Sequence, residues 1–129
     1  MITIPSNNAV KATLDRLESE VKARGVAVFA RIDHAAGAGE AGFALRPTEL
    51  LIFGNATAGT PLMQAAQTIG IDLPLKALAW EDASGRVSLS YNDPGWLAQR
   101  HGLDSASAAA THAMTAMLAN ITQKAAAMP

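Results

Sequence analysis

The sequence predicts a single α+β domain in which a mixed β-sheet packs against helices. A chain of 129 residues, half of them hydrophobic, fits one domain with its own core. Helical and strand-like periodicities alternate in the first half. In the second half two strand-like runs flank the turn Ala83-Ser84-Gly85, which predicts an antiparallel hairpin. No repeat or linker divides the chain, so we expect residues 1–129 to form one domain.

The N-terminal part predicts a strand, a helix and a second strand. Residues 2–4 alternate in polarity, as a short strand does. The following helix has an apolar face formed by Val10, Leu14, Leu17 and Val21. Gly25 favours the left-handed conformation that ends a helix. A strand over residues 26–34 would place these residues on one side: Val26, Val28, Ala30, Ile32 and His34.

The segment Glu49–Thr60 is predicted to form the centre of the fold. Residues 50–53 are apolar without alternation, which is typical of a strand covered on both faces. The glycine and asparagine that follow, Gly54 and Asn55, allow a sharp turn. Thr60 is then the predicted N-cap of the next helix, with a proline at its first position.

The elements around this segment follow from helix and turn signals. Residues 35–44 are small and glycine-bearing, which favours a short helix. Another helix is predicted over residues 61–69. The two strands of the hairpin are predicted over residues 76–82 and 86–91. Asp93-Pro94 opens a further helix by the cap-plus-proline pattern. A last helix, rich in alanine, is predicted over residues 104–126.

Composition excludes several classes of function. The formal net charge is −1 and the basic residues are scattered, so no nucleic-acid footprint is present. The absence of cysteine excludes disulfides, thiolate catalysis and iron–sulfur ligation. No apolar run is long enough to span a bilayer, and the first residues lack an export signal. We therefore expect a soluble, cytoplasmic protein with no nucleic-acid or membrane partner.

An ordered set of short phrases resembles the DUF302 family, whose structural type is called TT1751-like. The phrases are Asp33-His34, Glu49-Leu-Leu-Ile-Phe-Gly-Asn55, Gly59-Thr60, Ile71-Asp-Leu-Pro74 with Lys76, Trp80-Glu-Asp82, Tyr91-Asn-Asp-Pro94 and Arg100-His-Gly102. The likeness covers about residues 8–103 and leaves the alanine-rich helix outside. It implies one α+β domain, often a homodimer, with no established activity. The family usually has proline after Phe-Gly-Asn, whereas Ala56 stands there in this chain.

Our leading hypothesis for function is a pocket at the strand ends that binds a small polar or anionic molecule. Ligands of open sheets tend to bind at such ends. Lys76 in particular could hold a carboxylate or phosphate if it points inward beside Asp33 or Asp82. The predicted ligand-binding residues are His34, Phe53, Asn55, Thr60, Lys76, Asp82 and Tyr91. We assign no catalytic residue and no cofactor.

Two alternatives belong to other functional classes. An enzyme could use His34 as general base with Lys76 as its electrostatic partner, which requires both groups at one cavity. A structural or interaction module would instead show an apolar dimer surface and no pocket. No His-x-x-x-His or Glu-x-x-His spacing indicates a metal site. A Ser-His-Asp triad lacks a supporting Gly-x-Ser-x-Gly, and His101 is expected to close a helix, where the dipole favours a cation.

Overall fold

The computed structural model describes all residues from Met1 to Pro129 and contains one five-stranded sheet. The sheet order is β1-β5-β4-β3-β2, and every neighbouring pair is antiparallel. The strands are β1 Ile2–Ser6, β2 Ala27–Asp33, β3 Thr48–Gly54, β4 Leu75–Glu81 and β5 Val87–Tyr91.

The α+β class is therefore confirmed, whereas the sheet is antiparallel throughout rather than mixed. The difference arises in the first crossover. β1 lies at one edge of the sheet beside β5, and the chain then crosses to the opposite edge, where β2 pairs only with β3. An alternation of helix and strand along the chain therefore does not require parallel neighbours.

Five α-helices connect and cover these strands. They are α1 Val10–Ala23, α2 His34–Glu40, α3 Ala56–Ala65, α4 Pro94–Arg100 and α5 Ala108–Ala126. Short 3₁₀ turns lie at Gln67–Ile71 and Ser105–Ser107. Helix α1 contacts strands β2 to β5, and α5 packs beside α1 and reaches β1. None of the helices combines the length and apolar character that crossing a bilayer requires.

The core lies between the sheet and the helix pair α1 and α5. The predicted apolar face of α1 is buried at every position, from Val10 to Val21. From the sheet, the buried partners are Leu51, Phe53, Ala77, Ala79 and Leu89. These residues alternate along their strands with partly exposed ones, so a single face of the sheet is covered by helices.

The opposite side of the sheet, here called the open face, carries apolar side chains that point away from α1. The apolar residues of the open face are Ala30, Ile32, Leu50, Ile52, Leu78 and Trp80, and Lys76 lies on the same face beside Ile52. These residues are half-buried, apart from the exposed Ile32. Trp80 Nε1 donates to Ser90 Oγ at 2.9 Å, which satisfies the indole. The non-alternating run in β3 thus has one side covered by helices and one apolar side that the chain itself leaves partly open.

Edge strand β2 is joined to α1 through Arg31. Its Nη1 donates to Asp15 Oδ1 at 2.7 Å and its Nε to Glu49 Oε1 at 3.3 Å. Hydrogen bonds from Lys11 and Arg31 hold the pKa of Asp15 below its usual range. Burial alone would lower the pKa of Arg31, but the hydrogen bond to Asp15 and the charge of Glu49 outweigh it and raise that pKa.

Adjacent leucines on β3 provide a test of this two-sided sheet. We expect Leu51→Ala to lower the free energy of unfolding by about 2–5 kcal/mol, because the side chain is fully buried among packed groups. Leu50→Ala should cost clearly less in dilute protein, since its side chain lies on the open face. Urea unfolding followed by circular dichroism measures both. Equal losses at low concentration would contradict the assignment of an open face.

Candidate functional site

A cavity of about 550 Å³ lies beside the C-terminal end of β3. One wall is the segment 54–61, which includes the end of β3 and most of α3. Leu73 to Leu75 form the second wall, and α5 supplies the third with Ala110, Ala113, Met114 and Met117. No charged side chain is among the lining residues, and most of them are apolar.

The start of α3 shapes the mouth of the cavity. Asn55 is its N-cap, with extended backbone dihedral angles, and its Oδ1 accepts from the Ala58 N–H at 2.7 Å. The helix therefore begins at Ala56, and the prediction of Thr60 as N-cap with Pro61 in the first position is wrong. Because the side chain of Asn55 caps the helix, α3 begins several residues before Thr60. Pro61 therefore lies inside the helix.

Two of the predicted site residues, Asn55 and Thr60, line this cavity. Phe53 does not, because its ring is fully buried in the core on the helix side of β3. Lys76 pairs with Ile52 and lies on the opposite side of the sheet from the core, where its Nζ donates to Pro74 O at 3.1 Å. Lys76 is therefore turned away from the cavity.

The other three predicted residues lie elsewhere in the fold. His34 opens α2 just beyond β2, whose far end lies roughly 20 Å from the Gly54 end at the usual rise per residue. Asp82 accepts from the Ser84 and Arg86 N–H groups and so organises the β4–β5 turn. Tyr91 is buried on β5. The expected convergence of all seven side chains on one hollow is not found.

The separation of His34 from Lys76 also bears on the enzyme hypothesis. Along the strand direction, Lys76 is level with Ile52 and Ala30, whereas His34 follows Asp33 at the other end of β2. Three residues of strand correspond to roughly 10 Å, and β3 lies between the two strands. The two groups therefore do not share a cavity, and the proposed base and electrostatic partner cannot act on one substrate atom.

Residues that sequence reasoning missed come mainly from α5. Met114 and Met117 lie at helical spacing in an apolar stripe of the last helix, and nothing in that pattern indicates that they face a cavity rather than a filled core. Methionine adapts its shape to irregular spaces, which suits the wall of a binding cavity. No group of three or more His, Cys, Asp or Glu side chains is placed to hold a metal ion.

The fold and cavity define a class: a small α+β domain with one helix-covered antiparallel sheet and an apolar cavity at a strand end. The family model described as "Domain of unknown function DUF302" matches residues 2–121. The chain therefore belongs to the DUF302 family, as the short phrases had suggested. The match extends well into the alanine-rich helix, beyond the stretch covered by those phrases.

A solved structure shows the same fold at low sequence identity. It is the crystal structure of an uncharacterized conserved DUF302 protein from Bacillus stearothermophilus, with a TM-score of 0.84 and 19% identity. The superposition covers 96% of each chain. At this identity the likeness concerns the fold alone.

Curated relatives are more similar in sequence and carry a functional name. The chain is 52% identical over 126 residues to "Fluoride-specific ion channel FluC 1" of Brucella suis biovar 1 strain 1330. It is 52% identical over 126 residues to the protein of the same name in Brucella abortus biovar 1 strain 9-941. These matches cover 98% of this chain but 50% and 47% of those proteins. The chain thus spans about half the length of the curated relatives it matches.

The N-cap of α3 can be tested directly. Asn55→Ala removes the acceptor for the Ala58 N–H, so we expect a loss of about 0.5–2 kcal/mol in the free energy of unfolding. Asn55→Asp should keep most of the stability, because a carboxylate caps equally well and is favoured at a helix start. Urea unfolding at neutral pH measures the three proteins. An Ala variant as stable as wild type would show that α3 does not depend on this cap.

Proposed function

We propose that the protein binds a small, uncharged and mainly apolar molecule in the cavity beside β3. The observation that carries this proposal is the lining itself: most of the side chains are hydrophobic, Phe29 and three methionines among them, and none is charged. A volume of about 550 Å³ falls within the range of small-molecule sites, which are mostly apolar with a few polar groups.

The polarity of the ligand differs from the polar or anionic molecule expected from the sequence. That expectation was based on several polar residues at strand ends, and three of them, His34, Lys76 and Asp82, do not line the cavity. The polar groups that remain at the mouth are Asn55, Thr57 and Thr60. Asn55 Oδ1 is already occupied by the Ala58 N–H. These groups can hydrogen-bond to one hydroxyl or carbonyl of a ligand that is otherwise apolar. A charged ligand is disfavoured, because its charge would lose hydration without gaining a partner of opposite charge.

The names of the Brucella relatives make fluoride a second probe for the same experiment. A fluoride ion is small and strongly hydrated, whereas the cavity is large and offers no cationic side chain. We therefore propose that this domain takes an organic ligand rather than the ion.

Ligand binding is tested with the uncharged fluorescent probe N-phenyl-1-naphthylamine. We expect saturable fluorescence enhancement with wild type. Ala113→Phe should weaken binding at least about tenfold, which corresponds to about 1.4 kcal/mol, because the new ring fills the cavity. Residue 113 is exposed at its outer side, so the variant should still fold, as its circular dichroism and thermal midpoint will verify.

Ala116→Phe is the matched control, because Ala116 is an exposed alanine of the same helix outside the cavity. It should bind the probe as wild type does. The anionic probe 1-anilinonaphthalene-8-sulfonate should bind more weakly than the neutral one. Sodium fluoride, compared with sodium chloride, should leave probe binding unchanged. Equal binding by the Ala113 and Ala116 variants, or preference for the anion, would overturn the proposal.

A second function is favoured by the open face: association of two copies through their sheets. Apolar side chains of three neighbouring strands form a continuous patch there, with Leu50 in its middle between Ile32 and Leu78. Lys76 lies beside Ile52 at one end of the patch. A contiguous apolar patch of this kind is typical of an interaction surface. A two-fold axis through the patch would place identical side chains against each other and close the assembly as a dimer.

Multi-angle light scattering tests the dimer. We expect wild type to have twice the chain mass of 13.4 kDa. Leu78→Arg should yield a monomer, because it places a charge within the contact. Ile71→Arg is the control, since Ile71 is 74% exposed but lies outside the sheet. A monomeric wild type, or a dimer unaffected by Leu78→Arg, would exclude this interface.

A further inference from the structure

A cluster of polar side chains joins the end of α4 to the 3₁₀ turn after α3. His101 Nε2 lies 2.5 Å from Asp72 Oδ2, and His101 Nδ1 lies 2.9 Å from Thr68 Oγ1. Arg100 Nη1 donates to both oxygens of Asp72, at 2.9 and 3.0 Å. None of these four residues lines the cavity beside β3, so the cluster is a separate feature.

The chemistry of the partners sets the direction of each hydrogen bond. A carboxylate oxygen accepts hydrogen bonds, so in the contact with Asp72 the hydrogen is placed on His101 Nε2. In the neutral imidazole Nδ1 is then the acceptor, and the Thr68 hydroxyl donates to it. A hydroxyl bonded to a base, which is in turn oriented by a carboxylate, is the arrangement that activates a nucleophile. Its members come from two segments of the chain and carry no Gly-x-Ser-x-Gly.

We propose that Thr68 is a nucleophile activated by His101 and that it accepts acyl groups from small carboxylic esters. Thr68 Oγ1 attacks the carbonyl carbon while its proton passes to His101 Nδ1. The tetrahedral intermediate expels the alcohol, which takes the proton back from His101 and leaves the acyl group on Thr68. Water then attacks the new ester with His101 as base, so the carboxylic acid leaves and the threonine is restored.

Burial and charge in the cluster fit these roles. The side chains of His101 and Asp72 are only 7% and 14% exposed, so the base and its orienting carboxylate are shielded from water. Thr68 itself is exposed and can meet a substrate. Arg100 is half-exposed, and in the proposed reaction its N–H groups that do not bond Asp72 donate to the negative charge on the carbonyl oxygen. Its guanidinium lies 5.8 Å from the ring centre of the exposed Trp96.

A purely structural clamp does not require the threonine. The bonds from Asp72 to Arg100 and His101 already tie the two segments together. The Thr68 hydroxyl is exposed and could bond to water instead, so its bond to His101 adds little net stability. The same bond matters for reactivity, because it holds His101 Nδ1, the proton acceptor, within hydrogen-bond distance of the Thr68 hydroxyl.

4-Nitrophenyl acetate is the probe for this proposal. We expect release of nitrophenolate with an acetyl group mapped to Thr68 by mass spectrometry of quenched protein. Thr68→Val and His101→Gln should lower the rate by about a hundredfold, the usual minimum contribution of a general base. Thr68→Ser should retain the reaction. Because Thr68 is exposed, its variants should keep the wild-type circular dichroism spectrum.

Controls address the reactivity of ordinary surface groups. His34→Gln and Ser19→Ala alter an exposed imidazole and an exposed hydroxyl outside the cluster, and both should react as wild type does. Acetylation found on lysine or histidine side chains but not on Thr68 would overturn the proposal. So would a Thr68→Val variant that releases nitrophenolate at the wild-type rate.

Discussion

The packing of α1 across the middle of the sheet is the constraint on which the rest of the structure depends. Leu14 and Leu17 are fully buried against β3 and β4, where the small side chains of Ala77 and Ala79 let the helix approach. Burying such side chains contributes roughly 1.5–3 kcal/mol each. This packing also fixes which side of each strand faces inward and therefore leaves the other side open.

The cavity follows from the same constraint. Helix α1 covers the centre of the sheet and α5 packs beside it. At the Gly54 end of β3, α3 and the middle of α5 line the cavity. Gly54 itself lies close to Pro74, with a hypothetical Cβ 3.5 Å from the proline Cβ. Main chain and small side chains thus approach one another at the strand end, while the methionines of α5 line the space without filling it.

Local signals predicted much of this fold, because they act over a few residues. The amphipathic period of α1, the glycine turn at Gly85 and the Asp93-Pro94 start of α4 all specify short-range geometry. Two features escaped prediction for physical reasons. A bulge between Val28 and Ala30 reverses the side to which the rest of β2 points, so Ala30 and Ile32 lie on the open face. Asn55 is the N-cap of α3, so the helix begins before the Thr60-Pro61 pair from which its start was predicted.

The predicted site residues do not converge, because polar residues near strand ends need not lie close together. A strand has two ends and two sides, so residues such as His34, Asn55 and Lys76 can each follow a strand rule and still lie far apart. The contacts that do converge depend on tertiary closure. Asp72 and His101 are 29 residues apart and meet because α4 folds back onto the turn after α3. No hydrophobic periodicity or short motif in the sequence indicates that Asp72 and His101 are in contact. His101, at the end of α4, therefore hydrogen-bonds to the Asp72 carboxylate and the Thr68 hydroxyl, both of which are distant from it in the sequence.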